Sequence, residues 1–461
     1  MRDITEAMKN NQSFWQYKYG AYSANPPLAK GNYETDVLVI GGGYTGLTCA
    51  REVRRDDSTK RVMVIEANEI GFGASGRNGG FNMTLFGVEP EVTLMRWGKD
   101  KTREAQAYMQ KAVQYVKDLI ESENLDSDYE HTGMLRVAYT DKQARRLKKT
   151  YELLSSITEP GTFEYYSGEQ TQEKLNCPHI KGAIYEPETG ILDPSKHVRS
   201  LKMLAEREGA EIYEKTKVIA ITKQDGFSIV ETDVSTIKTK KLVIATNAWT
   251  HSLNSTPKVA NVQAPVWTYQ IVTDPLTSEQ WKDVKWEERM SIEDNRQLVH
   301  YMRITKCGRI TMGGGSIGVE FNDKKMDLWK NEKIWVDLEN HLKWMFPSLK
   351  DIKVHYKWGG CVSANVDMTP EIGFIGDHNI IYSTGCIGHG VSLTQLNGRL
   401  IADLVLGKQT SLSQFWIVNR KAIPMPPGNI LRFAGAKLIE SILKAVDTYE
   451  EGSLKRKYEA S

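Results

Sequence analysis

Between Asp36 and Gly80 the chain reads DVLVIGGGYTGLTCAREVRRDDSTKRVMVIEANEIGFGASGRNGG, and few folds can accommodate that order of residues. An apolar strand, Val37 to Ile40, runs directly into Gly41-Gly42-Gly43-Tyr44-Thr45-Gly46, which fits G-x-G-x-x-G opening a helix. Gly41 permits the tight turn, Gly43 lets backbone N–H groups approach a pyrophosphate, and Gly46 lets the helix pack close to the sheet. The positive end of the helix then faces the phosphates. A second strand, Val62 to Ile65, ends in Glu66, twenty residues after Gly46, the offset expected of a carboxylate that accepts ribose hydroxyl hydrogen bonds. Strand, glycines, helix, strand and acid together predict a dinucleotide cradle.

The next stretch, Gly71 to Gly80, holds too little bulk to contribute a core, while Ser75, Arg77 and Asn78 supply a hydroxyl, a cation and an amide as donors for a pyrophosphate. This stretch resembles the second flavin contact of the glycine oxidase, sarcosine oxidase and D-amino acid oxidase superfamily, and most closely its gamma-glutamylputrescine oxidase-like branch. The resemblance extends from the N-terminal arm to about Leu406. It implies an α/β protein in which a Rossmann-like FAD-binding domain of the glutathione-reductase type is interleaved with an α+β substrate domain on a mainly antiparallel sheet. On that reading residues 1–33 form an arm, 34–88, 183–256 and 359–410 the FAD domain, 89–182 and 257–358 the substrate domain, and 411–461 an extension with an amphipathic helix. It further implies FAD contacts at Ala67, Gly73, Ala74, Gly79, Gly80, Val218, Thr246, Asn247, Trp249, Gly360 and Val391, besides the two motifs. The G-x-x-G-H-G run ending in Gly388, His389 and Gly390 resembles the loop that holds the flavin ring, with His389 either a proton-transfer group or a structural histidine.

Amine oxidation by a flavin asks the protein mainly for orientation and desolvation. Tyr301 and Arg303 alternate on one strand and share a face, so they either orient substrate together or are ordinary surface residues. Trp267, Tyr269 and Trp358 are either walls around an aliphatic amine or core. Three departures from better-known relatives narrow the expectation. In WGGCVSANVDMTPEIG, Val362 stands where glycine and D-amino acid oxidases carry the arginine that pairs with a substrate carboxylate, which disfavours simple α-amino acids unless Arg303 substitutes. Thr311 stands at the oxygen-activating lysine position of sarcosine oxidases. The thiol nearest their flavin attachment point is Cys361, so FAD is expected to be noncovalent.

Composition constrains the rest. With 60 basic and 58 acidic side chains the net charge is +2, which points to neither nucleic acid nor an anionic membrane. No apolar run is long enough to span a bilayer; the N-terminus lacks the apolar core of a signal peptide; and five cysteines form no C-x-x-C pair. A cytoplasmic enzyme is expected, with no metal site and no nucleic-acid partner. The expected function is oxidation of a primary or secondary amine, polyamine-like or a derivative, with oxygen or another electron acceptor. Oxidoreduction of a small amino acid or aminophosphonate is the near alternative, and an electron-transfer or structural flavoprotein the alternative of another class. The segment Ile430 to Val446, followed by Lys455-Arg456-Lys457, either touches a membrane or a quinone-reducing partner or packs on its own protein.

Overall fold

The computed structural model describes residues 4–253, 256–322 and 326–458. Its first sheet has a parallel centre: Glu211–Tyr213, Val62–Ile65, Gly31–Ile40, Ser235–Ile244 and Ile380–Thr384 lie side by side in that order. At the centre Val37–Ile40, Val62–Ile65 and Leu242–Ile244 are apolar without alternation because both faces are covered. Val37 and Val39 pack under the helices Tyr44–Asp56, Pro194–Arg207 and Gly390–Val405, whereas Leu38 and Ile40 join Met63, Ile65, Leu242 and Ile244 on the other face. Val218–Gln224 and Phe227–Thr232 extend the sheet as an antiparallel meander, and Glu371–Ile375 pairs antiparallel with Ile380–Thr384.

The second sheet has eight strands, in the order Val354–Ala364, Ala264–Pro275, Arg309–Gly314, His300–Ile304, Ser291–Asp294, Met134–Ala138, Gly182–Glu186 and Glu164–Ser167. Every neighbouring pair is antiparallel except Ser291–Asp294 with Met134–Ala138. The helix Glu332–Met345 covers one face through Trp335, Leu338, Leu342 and Met345. The other face turns toward the first sheet. Two strands cross the boundaries expected from sequence: Gly182–Glu186 straddles 183 and Val354–Ala364 straddles 359, and both pair into the second sheet.

Sequence alone, with its aromatics and the Pro26-Pro27 pair, reads the N-terminal arm as extended; the structure gives it two short helices, Ile4–Lys9 and Phe14–Tyr19. Ser13 caps the second in a reciprocal box with Gln16. The helix Pro90–Ser122 is interrupted at Gly98, where φ is +79°. After the last strand of the first sheet, Ile380–Thr384, and the helix Gly390–Val405 comes a long helix, Asn429–Tyr458.

Candidate active site

Two helices aim uncapped N-termini at the same space. Elsewhere Thr140, Asp193 and Asn331 cap their helices with side-chain oxygens, but Gly43 and His389, which precede Tyr44–Asp56 and Gly390–Val405, offer no side-chain cap. Ser75 Oγ accepts one first-turn bond, from Tyr44 N at 3.0 Å. Orphan N–H groups at two helix starts make a site suited to anionic groups.

That space is a trench of three cavities that share walls. The first, about 320 Å³, is lined by Gly41, Gly43, Glu66, Ala67, Gly73, Ala74, Ser75, Val218, Thr246, Asn247 and Trp249. A narrow middle section takes in Tyr44, Thr45, Asn78, Gly388, Gly390 and Val391. The last cavity, about 290 Å³, is lined by Arg77, Gly79, Gly80, Tyr301, Gly360 and His389. Of the sequence-predicted cofactor contacts only Gly46 lines none of the three. Its part is closeness: a Cβ there would collide with the Gly41 carbonyl, while Gly41 itself turns with φ +112°. Glu66 accepts from Gly42 N at 2.8 Å and Asn68 N at 2.9 Å, and burial pushes its carboxyl above the ordinary value against those bonds.

The residues fit FAD. The Trp249 indole Nε1, buried and without a partner among the described residues, lies on the first cavity, where a ligand acceptor would satisfy it. The loop Gly71 to Gly80 also turns its carbonyls away. From Gly76 to Gly80 each carbonyl accepts from another part of the chain: Ser13 Oγ at 2.6 Å, Gln270 Nε2 and Trp358 Nε1 at 2.8 and 2.9 Å, Trp15 Nε1 at 2.9 Å, Arg303 Nε at 2.6 Å and Leu192 N at 2.9 Å. The negative ends of these peptide dipoles are thereby engaged outside the trench.

This bracing corrects the reading of two arginines. Arg303 does share a face with Tyr301, but its guanidinium bonds Gly79 O and Leu192 O and lies 4.6 Å over the Trp15 ring, beneath the loop rather than in the cavity. Burial lowers it to about 10. It therefore orients no substrate and cannot replace the arginine missing at Val362. Arg77 likewise spends its guanidinium on the carbonyls of Phe72, Asn11 and Gly359, so it is no pyrophosphate donor. Of the two readings of the aromatics, the structure favours core. Trp267 and Tyr269 sit on the core face, bonded to Glu320 and the Leu328 carbonyl, and Trp358 is sealed under the Arg77 carbonyl. The neighbours of opposite parity, Val266, Thr268 and Gln270, line the cavity instead.

Tyr301 lines the last cavity, edge-on to Phe81, with its phenol pushed up by burial. Val362 lines it as well, whereas Thr311 is buried away from it. The middle section carries the thiol of Cys386, and Cys361 faces the first cavity.

One residue of this cavity escaped the sequence reading. Glu293, on the strand Ser291–Asp294, is 4% exposed; its Oε1 lies 3.2 Å from His389 Nε2, and its Oε2 is buried in the cavity wall with no partner. His389 Nδ1 donates to Gly87 O at 2.8 Å. Burial works against protonating His389, but the bond to Glu293 and its charge outweigh that and raise its pKa above the ordinary value. The only hint in the sequence was an acid flanked by Ile292 in a strand, which alternation places opposite the core.

The structure also gathers a group that spacing did not reveal: Asp294, His300 and His341 present ligand atoms within 4.8 Å of one another. Arg296 Nη1 lies 3.0 Å from His300 Nδ1, so the cluster already holds a fixed cation.

A dinucleotide trench opening on a small-molecule cavity, with two helix N-termini at its waist, defines an oxidoreductase built around a flavin dinucleotide. The chain belongs to the FAD dependent oxidoreductase family, whose profile matches residues 36–404. It is 29% identical over 405 residues to gamma-glutamylputrescine oxidoreductase of Escherichia coli strain K12, covering 86% of this chain and 89% of that one. It is 26% identical over 430 residues to the probable oxidoreductase OrdL of Haemophilus influenzae, covering 92% and 94%. Among solved structures, glycine oxidase from Geobacillus kaustophilus has the same fold, with a TM-score of 0.70 at 21% identity over 84% of this chain and 100% of that one. No helix among the described residues is long and apolar enough to cross a membrane.

Proposed function

We propose that this FAD-dependent enzyme oxidises the C–N bond of a primary or secondary amine of polyamine type, or a derivative of one. The observation that carries the reading is Glu293: among the described residues lining the last cavity, its Oε2 is a buried acceptor without a partner, and the only guanidinium there, that of Arg77, is already spent on backbone carbonyls. Such a cavity suits a cation and leaves a substrate carboxylate unpaired, at a cost of several kcal/mol.

FAD, held by the trench from Glu66 to the uncapped helix at Gly390, supplies the hydride acceptor. The protein's own groups do the rest. Glu293 Oε2 accepts a hydrogen bond from a substrate N–H. Met83, Met134, Leu298, Val299 and Ile317 give a methylene chain an apolar wall that excludes water. Tyr301 borders the reacting end, and His389, which holds Glu293 Oε1 through Nε2, leaves Glu293 Oε2 as the acceptor for the proton the ammonium must shed before its α-carbon can lose hydride. The iminium left behind adds water and releases ammonia or a shorter amine together with an aldehyde. All five cysteines are free, which supports a reducing cytosol.

The test is anaerobic mixing of the yellow holoprotein with putrescine, a glutamylated polyamine, sarcosine, glycine and D-alanine. Bleaching by an amine without an α-carboxylate is expected, and readmitting air shows whether oxygen serves as acceptor. Bleaching by glycine or D-alanine alone would return the protein to the amino-acid oxidoreductases. A flavin that none of them bleaches would leave the polyamine reading without support.

A further inference from the structure

The helix Asn429–Tyr458 is attached in an inverted way. Its carboxylates face the protein: Glu440 accepts from Ile317 N at 3.3 Å, Asp447 from Gln297 N and Leu298 N at 2.7 and 2.9 Å, Glu450 pairs with Lys142 and Arg146, and Glu451 with Arg296. Six of its apolar residues face outward. Leu431, Leu438, Ile442 and Tyr449, spaced seven, four and seven residues apart, form one stripe flanked by Ile430 and Ile439, and each of these six is more than half exposed. At 1.5 Å per residue the stripe runs for about 27 Å.

We propose that this helix lies on an anionic membrane surface, with the stripe at the boundary between headgroups and acyl chains. An amphipathic helix with cations beside its apolar face binds such a surface through both terms. The charge fits that occupant. The carboxylates of the described helix, Glu440, Asp447, Glu450 and Glu451, are 13%, 1%, 1% and 2% exposed. The exposed Lys444 borders the stripe, as does Lys437, 41% exposed and 2.8 Å from Glu440. The run Lys455-Arg456-Lys457 follows, its side chains outside the described residues. A second copy would set the same cations against their own kind, whereas an anionic bilayer neutralises them. The residues that Glu440 and Asp447 bond, Ile317, Gln297 and Leu298, line the substrate cavity, as does Leu443 of the helix itself. Docking would therefore bring the cavity rim to the lipid surface. This inference does not depend on the amine reading.

The test is flotation of the holoprotein with vesicles of phosphatidylcholine and phosphatidylglycerol, beside pure phosphatidylcholine vesicles. Binding to the anionic vesicles that weakens in high salt is expected, with a loss of roughly tenfold or more in the double variant Leu438→Asp, Ile442→Asp. Both positions point outward, so the variant should keep its flavin spectrum. A second variant, Lys437→Glu with Lys444→Glu, leaves the stripe intact and should abolish the preference for anionic lipid. No flotation of the unaltered protein would overturn the proposal, as would flotation indifferent to both variants. So would light scattering that shows a dimer which the first variant dissolves, because a second copy would then cover the stripe.

Discussion

The two ends of the trench are built from different material. At the dinucleotide end the groups that face the ligand space belong to glycine-rich backbone and two helix starts, and the side chains that matter, Glu66 and Ser75, are themselves fixed by backbone N–H groups. At the substrate end the wall is made of side chains from both sheets and from the C-terminal helix, with Glu293, Tyr301, His389 and Leu443 drawn from distant parts of the chain. The first end tolerates little change because its atoms are the fold. The second can exchange side chains one at a time, and this is how one fold serves many substrates.

Substitutions can sharpen or break that contrast. The largest effect is expected from Gly46→Val, which forces a side chain into the Gly41 carbonyl; a cost of about 3 kcal/mol or more should leave protein without FAD by absorbance, and normal flavin content would refute a rigid cradle. Next, Arg303→Met strands the Gly79 and Leu192 carbonyls, each worth about 1 to 3 kcal/mol. Lower melting temperature and faster flavin loss should follow, with KM for amine unchanged in the protein that stays loaded. A change confined to KM would put Arg303 back at the substrate. Glu293→Gln removes a charge from the cavity and should lower kcat/KM for a polyamine by about 10- to 100-fold, the worth of one hydrogen bond to a charged group, while the visible spectrum stays normal. Equal activity would remove Glu293 from substrate recognition. The smallest effect concerns pH. Because the folded-state pKa of His389 is raised above 6.5, its pair with Glu293 contributes stability that is complete below that value and lost as pH rises through the folded-state pKa. His389→Asn should flatten this part of the denaturation profile, and an unaltered slope would mean the pair is not ionic.

The same contrast explains what could be read in advance. Gly41 and Gly46 were legible because a tight turn and a close helix each demand one residue type at one offset, and Glu66 stands on the cavity wall at the offset its strand predicts. Arg77 and Arg303 were misread because a sequence shows a charge and not the carbonyls waiting for it. For Trp267 and Tyr269 wall and core both stayed open, since alternation along the strand puts them on one face without saying which face meets the cavity. Glu293 was invisible for another reason: its partner His389 lies 96 positions away on the other sheet's segment, and only the packing of the two sheets brings them together. The exposed apolar stripe had an amphipathic signature, but nothing in it said that the acids would face inward.

The braced loop from Gly76 to Gly80 has a consequence for how the molecule comes apart. The N-terminal arm and the second sheet hold it by its carbonyls, and so does Leu192, which packs in the core beneath the first sheet, so the three share one fastening that lies against the flavin site. A ligand that binds only the assembled form adds its binding free energy to all three at once. In calorimetry the loaded enzyme should lose both sheets in a single endotherm, whereas stripping the flavin should split that transition and let the arm and second sheet melt first. Cofactor content would then set the size of the unit that unfolds together, as well as its temperature.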